Sequence, residues 1–358
     1  LVSGTVGLGL TAFTQIGELQ RGFPLIASHL ADLTATAWIV WACTSLGYVV
    51  IERFRFLPSA MRAAIALAVG LTIVSTAVLL GGLLGHIRLV GMAVWPLVAV
   101  LVCVVGTPAK TLALFVLTGR EIRACLSGNL VAGAGMSLVI VLMVIAALQP
   151  VNDWDSLMYH MPIVATWVQE GRIAPVFGMR PLSFYGYMPA GGSAWLWWWM
   201  APSHSELYAN LAFFPHSALL ALAAGGIARE LGARRWWPLA ALLTLMAPVV
   251  IRFTATQYVD IFLASAFAAA AFFALRWMRE PRWSDAILAG MGMGLAAGSK
   301  VLGIPFALAL GMAVLLARRE WSRRVPQLGA ALLAMVLLGG FFYVRNTLIG
   351  AGPLAARC

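Results

Sequence analysis

The sequence predicts an all-α, polytopic membrane protein with about ten transmembrane helices. Three observations carry that prediction. Of the 358 residues 62% are hydrophobic and only 10% are charged, and a mean hydropathy of +0.91 exceeds what a soluble domain displays. The apolar residues gather into runs of membrane length. The basic residues gather at alternate connections between those runs, as the positive-inside rule requires.

A helix needs about 20 apolar residues to cross the hydrocarbon, with a few residues of latitude. Residues 1–20 (LVSGTVGLGLTAFTQIGELQ) are rich in Gly and Thr and contain Glu18, which predicts a re-entrant or fragmentary helix. The basic region that opens a signal peptide is missing there. Spans then follow at 33–51, 63–85, 90–106, 126–148, 206–228, 236–251, 257–276, 284–299, 301–317 and 327–344. They are helices because a helix satisfies its own backbone in lipid, and because the runs are too long and continuous for barrel strands. The connection 149–205 is the longest, and its segment 159–170 (YHMPIVATWVQE) is amphipathic, which predicts a juxtamembrane helix lying in the interface.

The net charge of +11 is explained by topology. Loops around Arg53/Arg55/Arg62, Lys110/Arg120/Arg123, Arg229/Arg234/Arg235, Arg276/Arg279/Arg282 and Arg318/Arg319/Arg323/Arg324 hold sixteen of the 24 basic residues, so those loops are cytoplasmic and 149–205 is external. No nucleic-acid partner is called for. Cys43, Cys103, Cys125 and Cys358 all lie outside 149–205, so neither a disulfide framework nor a thiolate metal site is implied. The first helices carry few functional polar groups, which places a boundary near residue 124. We expect accessory helices over 1–124, a seven-helix module over 125–350 that includes the external loop 149–205, and an incomplete tail at 351–358.

Behind the apolar run ending near Leu148 comes Asn152-Asp153-Trp154-Asp155-Ser156-Leu157-Met158-Tyr159-His160-Met161-Pro162, two carboxylates with a tyrosine and a histidine. On the predicted topology the same face receives Asp260 at the start of 257–276, Lys300 between 284–299 and 301–317, and Arg345-Asn346 at the end of 327–344. Ionisable groups at membrane depth are costly and mark function. Each has a plainer reading alone: Asp153, Asp155 and Asp260 as helix caps, Lys300 and Arg345 as interfacial anchors, His160 as a structural histidine. Trp195, Trp197, Trp198 and Trp199 read as an aromatic belt, and Arg180 as a phosphate contact or a solvated loop residue.

The run Asp153 to Pro162, followed by Trp167-Val168-Gln169-Glu170-Gly171-Arg172-Ile173, resembles the first external loop of bacterial membrane glycosyltransferases of the GT-C superfamily. That superfamily includes the protein O-mannosyltransferases and the aminoarabinose transferases that modify lipid A. The resemblance covers roughly 125–350 and leaves the first third of the chain aside. It implies a seven-helix module in a bacterial inner membrane, with an active site on the periplasmic or external face. It also implies a polyprenyl-phosphate-linked sugar as donor, a glycan, lipid or protein as acceptor, and membrane lipid as surroundings.

Residue chemistry points the same way. Transfer of a sugar from a lipid phosphate to a hydroxyl or amine needs a base beside the acceptor and positive charge where the phosphate leaves. Asp155 suits the base, one turn before Tyr159 and His160, with Asp153 as its substitute. Lys300 and Arg345 suit the phosphate, Arg by bidentate contact and Lys as a point charge. Asp260, with Gln257 and Tyr258 beside it and Asn346 next to Arg345, suits acceptor or sugar hydroxyls, and Tyr185 and Tyr187 suit stacking on sugar or prenyl. No metal or cofactor is expected; a cation shared by Asp153 or Asp155 with Asp260 would be magnesium or manganese rather than zinc. Direct displacement predicts inversion at the anomeric carbon. The alternative function is a transporter or flippase of a lipid-linked or polar substrate, which would be expected to place polar residues at mid-membrane on broken helices.

Overall fold

The computed structural model describes residues 25–51, 57–83, 108–127, 130–147, 149, 151, 153–174, 176, 183–200, 209–317 and 321–354. The expected span 90–106, the segment 1–20, Arg180, Cys103 and the end of the 351–358 tail lie outside the described residues. Every regular element described is helical, and the protein is an all-α polytopic membrane protein. Among the described residues three helices are long and apolar enough to cross a bilayer: Ser59–Gly82, Ala209–Glu230 and Asp260–Arg279. Counting the bent pairs Trp237–Met246 with Pro248–Thr254 and Arg324–Gly339 with Phe341–Leu348 raises this to five. Ala37–Val49, Gly133–Ala147 and Gly303–Leu316 are shorter apolar helices. The expected count of ten is not reached among the described residues.

By its contacts the chain divides into two compact units, one of residues 1–174, 194–215 and 251–258, the other of 175–193, 216–250 and 259–358. In the first, α1 (Leu25–Ile51), α2 (Ser59–Leu83), α3 (Pro108–Ser127) and α4 (Leu130–Ala147) precede a π-helical turn, Ser156–His160, that runs into α5 (Met161–Glu170). Helices α1 and α2 approach closely because glycine stands at their contact. A Cβ on Gly47 would fall 1.9 Å from the carbonyl oxygen of Ala66, and one on Gly70 1.7 Å from that of Cys43. The N-terminus of α2 takes its cap from α3: Ser59 Oγ donates to Glu121 Oε2 at 2.6 Å and the Ala60 N–H donates to the same oxygen at 3.1 Å, so two polar groups of a membrane helix end are satisfied.

Helix α5 starts with Pro162 in its first turn, where proline is tolerated, and stops at Gly171, whose φ of 71° favours glycine. The chain beyond is fastened by the Trp167 Nε1–H donating to the Ala174 carbonyl at 2.7 Å and the Ile173 N–H donating to the Gly82 carbonyl at 3.0 Å. This element carries the amphipathic pattern, but Ile163, Val164 and Trp167 on its apolar side are buried in protein. Within α6 (Gly191–Met200), Trp195, Trp197, Trp198 and Trp199 are no more than 2% exposed. They are core residues rather than an aromatic belt: rings of Trp195 and Trp198 lie 5.1 Å apart, and the Trp195 indole donates to the Ala212 carbonyl at 2.6 Å.

The second unit takes in most of α7 (Phe214–Glu230), α8 (Trp237–Met246), the start of α9 (Pro248–Thr254), α10 (Asp260–Arg279), α11 (Trp283–Ser299), α12 (Gly303–Leu316), α13 (Trp321–Gly339) and α14 (Phe341–Leu348). Helix α11 is its centre, and its sequence explains why. Gly290, Gly294 and Gly298 recur every four residues and form one stripe. Added Cβ atoms there would meet Ala331 O at 2.2 Å, Met335 O at 2.7 Å and Gly339 Cα at 3.2 Å on α13. Gly292 faces α10, where a Cβ would lie 2.7 Å from Ala266 O. Small residues on both sides let three backbones pack where lipid gives no hydrophobic drive between helices.

Helices α10 and α11 form a tight antiparallel hairpin, and ion pairs join both of its ends. Near the connection Arg276, 7% exposed, lies 3.2 Å from Asp285 and 3.6 Å from Glu230, while Arg279 lies 2.9 Å from Glu230. Arg324 is also buried and donates to the Met278 carbonyl. Two arginines of the basic loops therefore seal helix ends inside the protein, instead of facing water as loop residues do. The expected straight span 327–344 is bent by 62° at Gly339-Gly340, so α13 ends there and Arg345 sits on the separate helix α14.

The α11 stripe makes a direct prediction. Gly290→Leu should lower stability by about 1–3 kcal/mol through overpacking, read as a lower detergent unfolding temperature. Gly311→Ala, where a Cβ meets nothing within 4 Å, should be neutral or slightly stabilising.

Candidate active site

In the first unit the acidic segment and residues 251–258 make one site. Asp153 Oδ1 accepts from Arg252 Nη2 at 2.6 Å, and Asp153 is 14% exposed against 63% for the arginine. Asp155 is half-buried. Its Oδ2 accepts from the Tyr159 hydroxyl at 3.1 Å, one turn on, and its backbone N–H points at the Tyr258 hydroxyl, 3.4 Å away. The Asp155 side chain, at the N-cap position, makes no capping bond to the π-turn. Among the described residues no cation pairs with Asp155.

Aromatic rings surround this carboxylate. Tyr159 and His160, both buried, have ring centroids 4.1 Å apart, and His160 lies 6.4 Å from Tyr258. Tyr258 stacks on Phe253 with centroids 4.7 Å apart and planes only 3° from parallel.

Behind the aspartates Asn210 joins three segments. Its Nδ2 donates to the carbonyls of Ala147 at 3.0 Å and Gln149 at 2.6 Å, and its Oδ1 accepts from Gln257 Nε2. The Gln257 N–H in turn donates to Ser156 Oγ at 3.3 Å. A cavity of about 250 Å³ opens here, with Gln149, Asp153, Asn210, Arg252, Thr256 and Gln257 among its walls. It falls below the roughly 300–1,000 Å³ of drug-sized ligand pockets, so it suits one polar group of a larger substrate.

In the second unit Asp260, at the N-terminus of α10, and Lys300, just beyond the C-terminus of α11, form a two-pronged ion pair at 2.9 and 2.8 Å. Each charge also complements its helix dipole. Lys300 thus spends its charge on Asp260. Arg345 makes only neutral contacts among the described residues: Nη2 donates to the Gly186 carbonyl at 3.1 Å and to Asn346 Oδ1 at 2.8 Å, and the guanidinium lies 5.2 Å from the Phe342 ring centre. Asn346, buried, donates to the Tyr187 carbonyl at 2.6 Å. Arg345 and Asn346 therefore bind the backbone of the 3₁₀ turn Ser183–Tyr187, which carries Tyr185 and Tyr187, both half-buried.

The structure brings Asp153, Asp155, Tyr159, His160, Gln257 and Tyr258 together in one unit. In the other it gathers Asp260 with Lys300, and Arg345 with Asn346, Tyr185 and Tyr187. Sequence reasoning passed over Arg252, Asn210 and Ser156. Two of these left a signal: Arg252 is a basic residue on the side that the positive-inside rule leaves poor in arginine, and Asn210 is a carboxamide inside an apolar run. Among the described residues no group of three or more His, Cys, Asp or Glu side chains is placed to hold a metal ion.

Residues 194–342 match the family model of the dolichyl-phosphate-mannose-protein mannosyltransferases. The match supports a membrane glycosyltransferase drawing on a lipid-linked sugar donor. It covers fewer than half of the residues, takes in Arg252, Gln257, Tyr258, Asp260 and Lys300, and begins beyond the acidic segment. No curated protein and no solved structure gives a significant match.

Asn210→Ala would strand the Gln257 amide and two backbone carbonyls. We expect it to cost about 1–3 kcal/mol of stability, measured by thermal unfolding in detergent, with Asn210→Asp, which keeps the acceptor and loses both donors, also destabilised.

Proposed function

We propose that this chain is a multi-pass glycosyltransferase of the bacterial inner membrane that moves a sugar from a polyprenyl-phosphate donor to an acceptor hydroxyl or amine at the external face. The observation that carries this reading is Asp155, a half-buried carboxylate held by the Tyr159 hydroxyl in a unit rich in aromatic and carboxamide groups. Asp155 takes the proton from the acceptor as the acceptor attacks the anomeric carbon, the C–O bond to the lipid phosphate breaks, and the phosphate leaves with its electrons. Such a displacement inverts the anomeric centre. General-base catalysis of this type contributes about 10²–10⁴ in rate.

The departing phosphate needs a cation. Within the second unit Arg345 has the chemistry for it, because its present partners are neutral oxygens that an anion can replace; Lys300 with Asp260 is a neutral pair suited to hydroxyls. Gln257 and Tyr258 in the first unit, and Tyr185, Tyr187 and Asn346 in the second, each offer hydrogen bonds or ring faces suited to a sugar or an acceptor. His160 packs on Tyr159 and keeps the phenol turned to Asp155.

The breaks between Met246 and Pro248 and at Gly339-Gly340 support a second reading, because transporters bind substrates at interrupted helices. One variant, compared with the parent protein, separates the two. With radiolabelled polyprenyl-phosphate mannose and other polyprenyl-phosphate hexoses as donors, Asp155→Asn should fold and bind the lipid while losing transfer by about 10²–10⁴-fold. Transfer at the normal rate would remove Asp155 as the base. Loss of solute uptake with no transferase product in the parent protein would favour the transporter.

A further inference from the structure

We propose that Arg252 is a positioning residue and that Asp153 is its anchor, so that the two aspartates of the acidic segment divide the work: Asp153 fixes the loop and Asp155 meets the acceptor. The inference deepens the glycosyltransferase reading and rests on it.

Three contacts run from residues 252–258 to residues 153–156. Arg252 Nη2 meets Asp153 Oδ1 at 2.6 Å, the Tyr258 hydroxyl faces the Asp155 N–H at 3.4 Å, and the Gln257 N–H reaches Ser156 Oγ at 3.3 Å. The last two are long, so the ion pair is the tightest of the three. An exposed ion pair standing alone contributes little. This one differs because its carboxylate is mostly buried at the cavity wall while its guanidinium reaches in from the open side. Arg252 also lies in the last turn of α9, where a cation is favoured, so its own position is defined.

The two carboxylates differ in their partners: Asp153 Oδ1 is taken by the Arg252 guanidinium, whereas the Asp155 side chain is held by the Tyr159 hydroxyl on Oδ2. The backbone N–H of Leu157 also bonds the Asp153 carbonyl at 3.0 Å, so a loop fixed at Asp153 fixes the start of the π-turn that carries Tyr159. Arg252 thus acts on the reaction through Asp153.

The test combines hydrogen exchange with turnover in Arg252→Gln, Arg252→Lys and the exchanged pair Asp153→Arg with Arg252→Asp, using radiolabelled polyprenyl-phosphate mannose and other polyprenyl-phosphate hexoses as donors. Arg252→Gln should speed amide exchange across residues 153–160 and lower kcat by about 10- to 100-fold, the cost of a reacting group misplaced by about an ångström, with KM for the donor little changed. Arg252→Lys and the exchanged pair should recover part of both. Unchanged exchange in Arg252→Gln would overturn the proposal, as would faster exchange with kcat unaltered or a loss confined to KM. Should the parent protein transfer no sugar, the glycosyltransferase reading fails by itself, and the exchange data still decide whether Arg252 holds the loop.

Discussion

The fastening of residues 153–156 by residues 252–258 is the constraint on which the chemistry proposed for the first unit depends. A carboxylate can serve as a base only if it is held in place. Arg252, Gln257 and Tyr258 hold this segment, and Asn210 ties the same segment back to the end of α4 through the carbonyls of Ala147 and Gln149. The Asn210 carboxamide fills both donors and its acceptor. That completeness matters near a membrane, where an unpaired polar group is expensive.

The second unit solves a different problem, the placement of charge on helices that must also pack in lipid. The α10 and α11 hairpin closes at one end with Arg276, Asp285 and Glu230 and at the other with Asp260 and Lys300. Between these ends the glycines of α11 remove side-chain bulk on two faces. The pairings leave Arg345, on α14 beyond the bend, bonded to neutral oxygens, as buried Arg324 is to the carbonyls of Val314 and Met278. Lys300 and Arg345, expected from sequence to act together on a phosphate, have unlike partners: Lys300 a carboxylate and Arg345 neutral oxygens.

Much of this was legible in the residues. Composition and run length are sufficient for an all-α membrane protein, and the spacing of Asp155 and Tyr159 already put one a helical turn before the other. The stripe Gly290, Gly294, Gly298 stood in plain sight without being read, because its meaning depends on which backbone lies opposite. Pairing was the part sequence could not supply. Arg252 and Asp153 are 99 positions apart, and Lys300 and Asp260 are 40 apart, and only the fold decides which charges meet. The tryptophans of α6 misled for a related reason: an aromatic run near a predicted boundary suits an interface, and a buried core absorbs the same residues equally well.

The claim on which the others turn is that the protein binds a sugar carried on a prenyl phosphate. Mass spectrometry of lipids that co-purify with the protein from mild detergent tests it most directly. The account predicts a polyprenyl-phosphate-linked sugar, depleted in a preparation of Arg345→Gln. Ordinary phospholipids alone, from preparations in which added polyprenyl-phosphate sugar is also not retained, would contradict it.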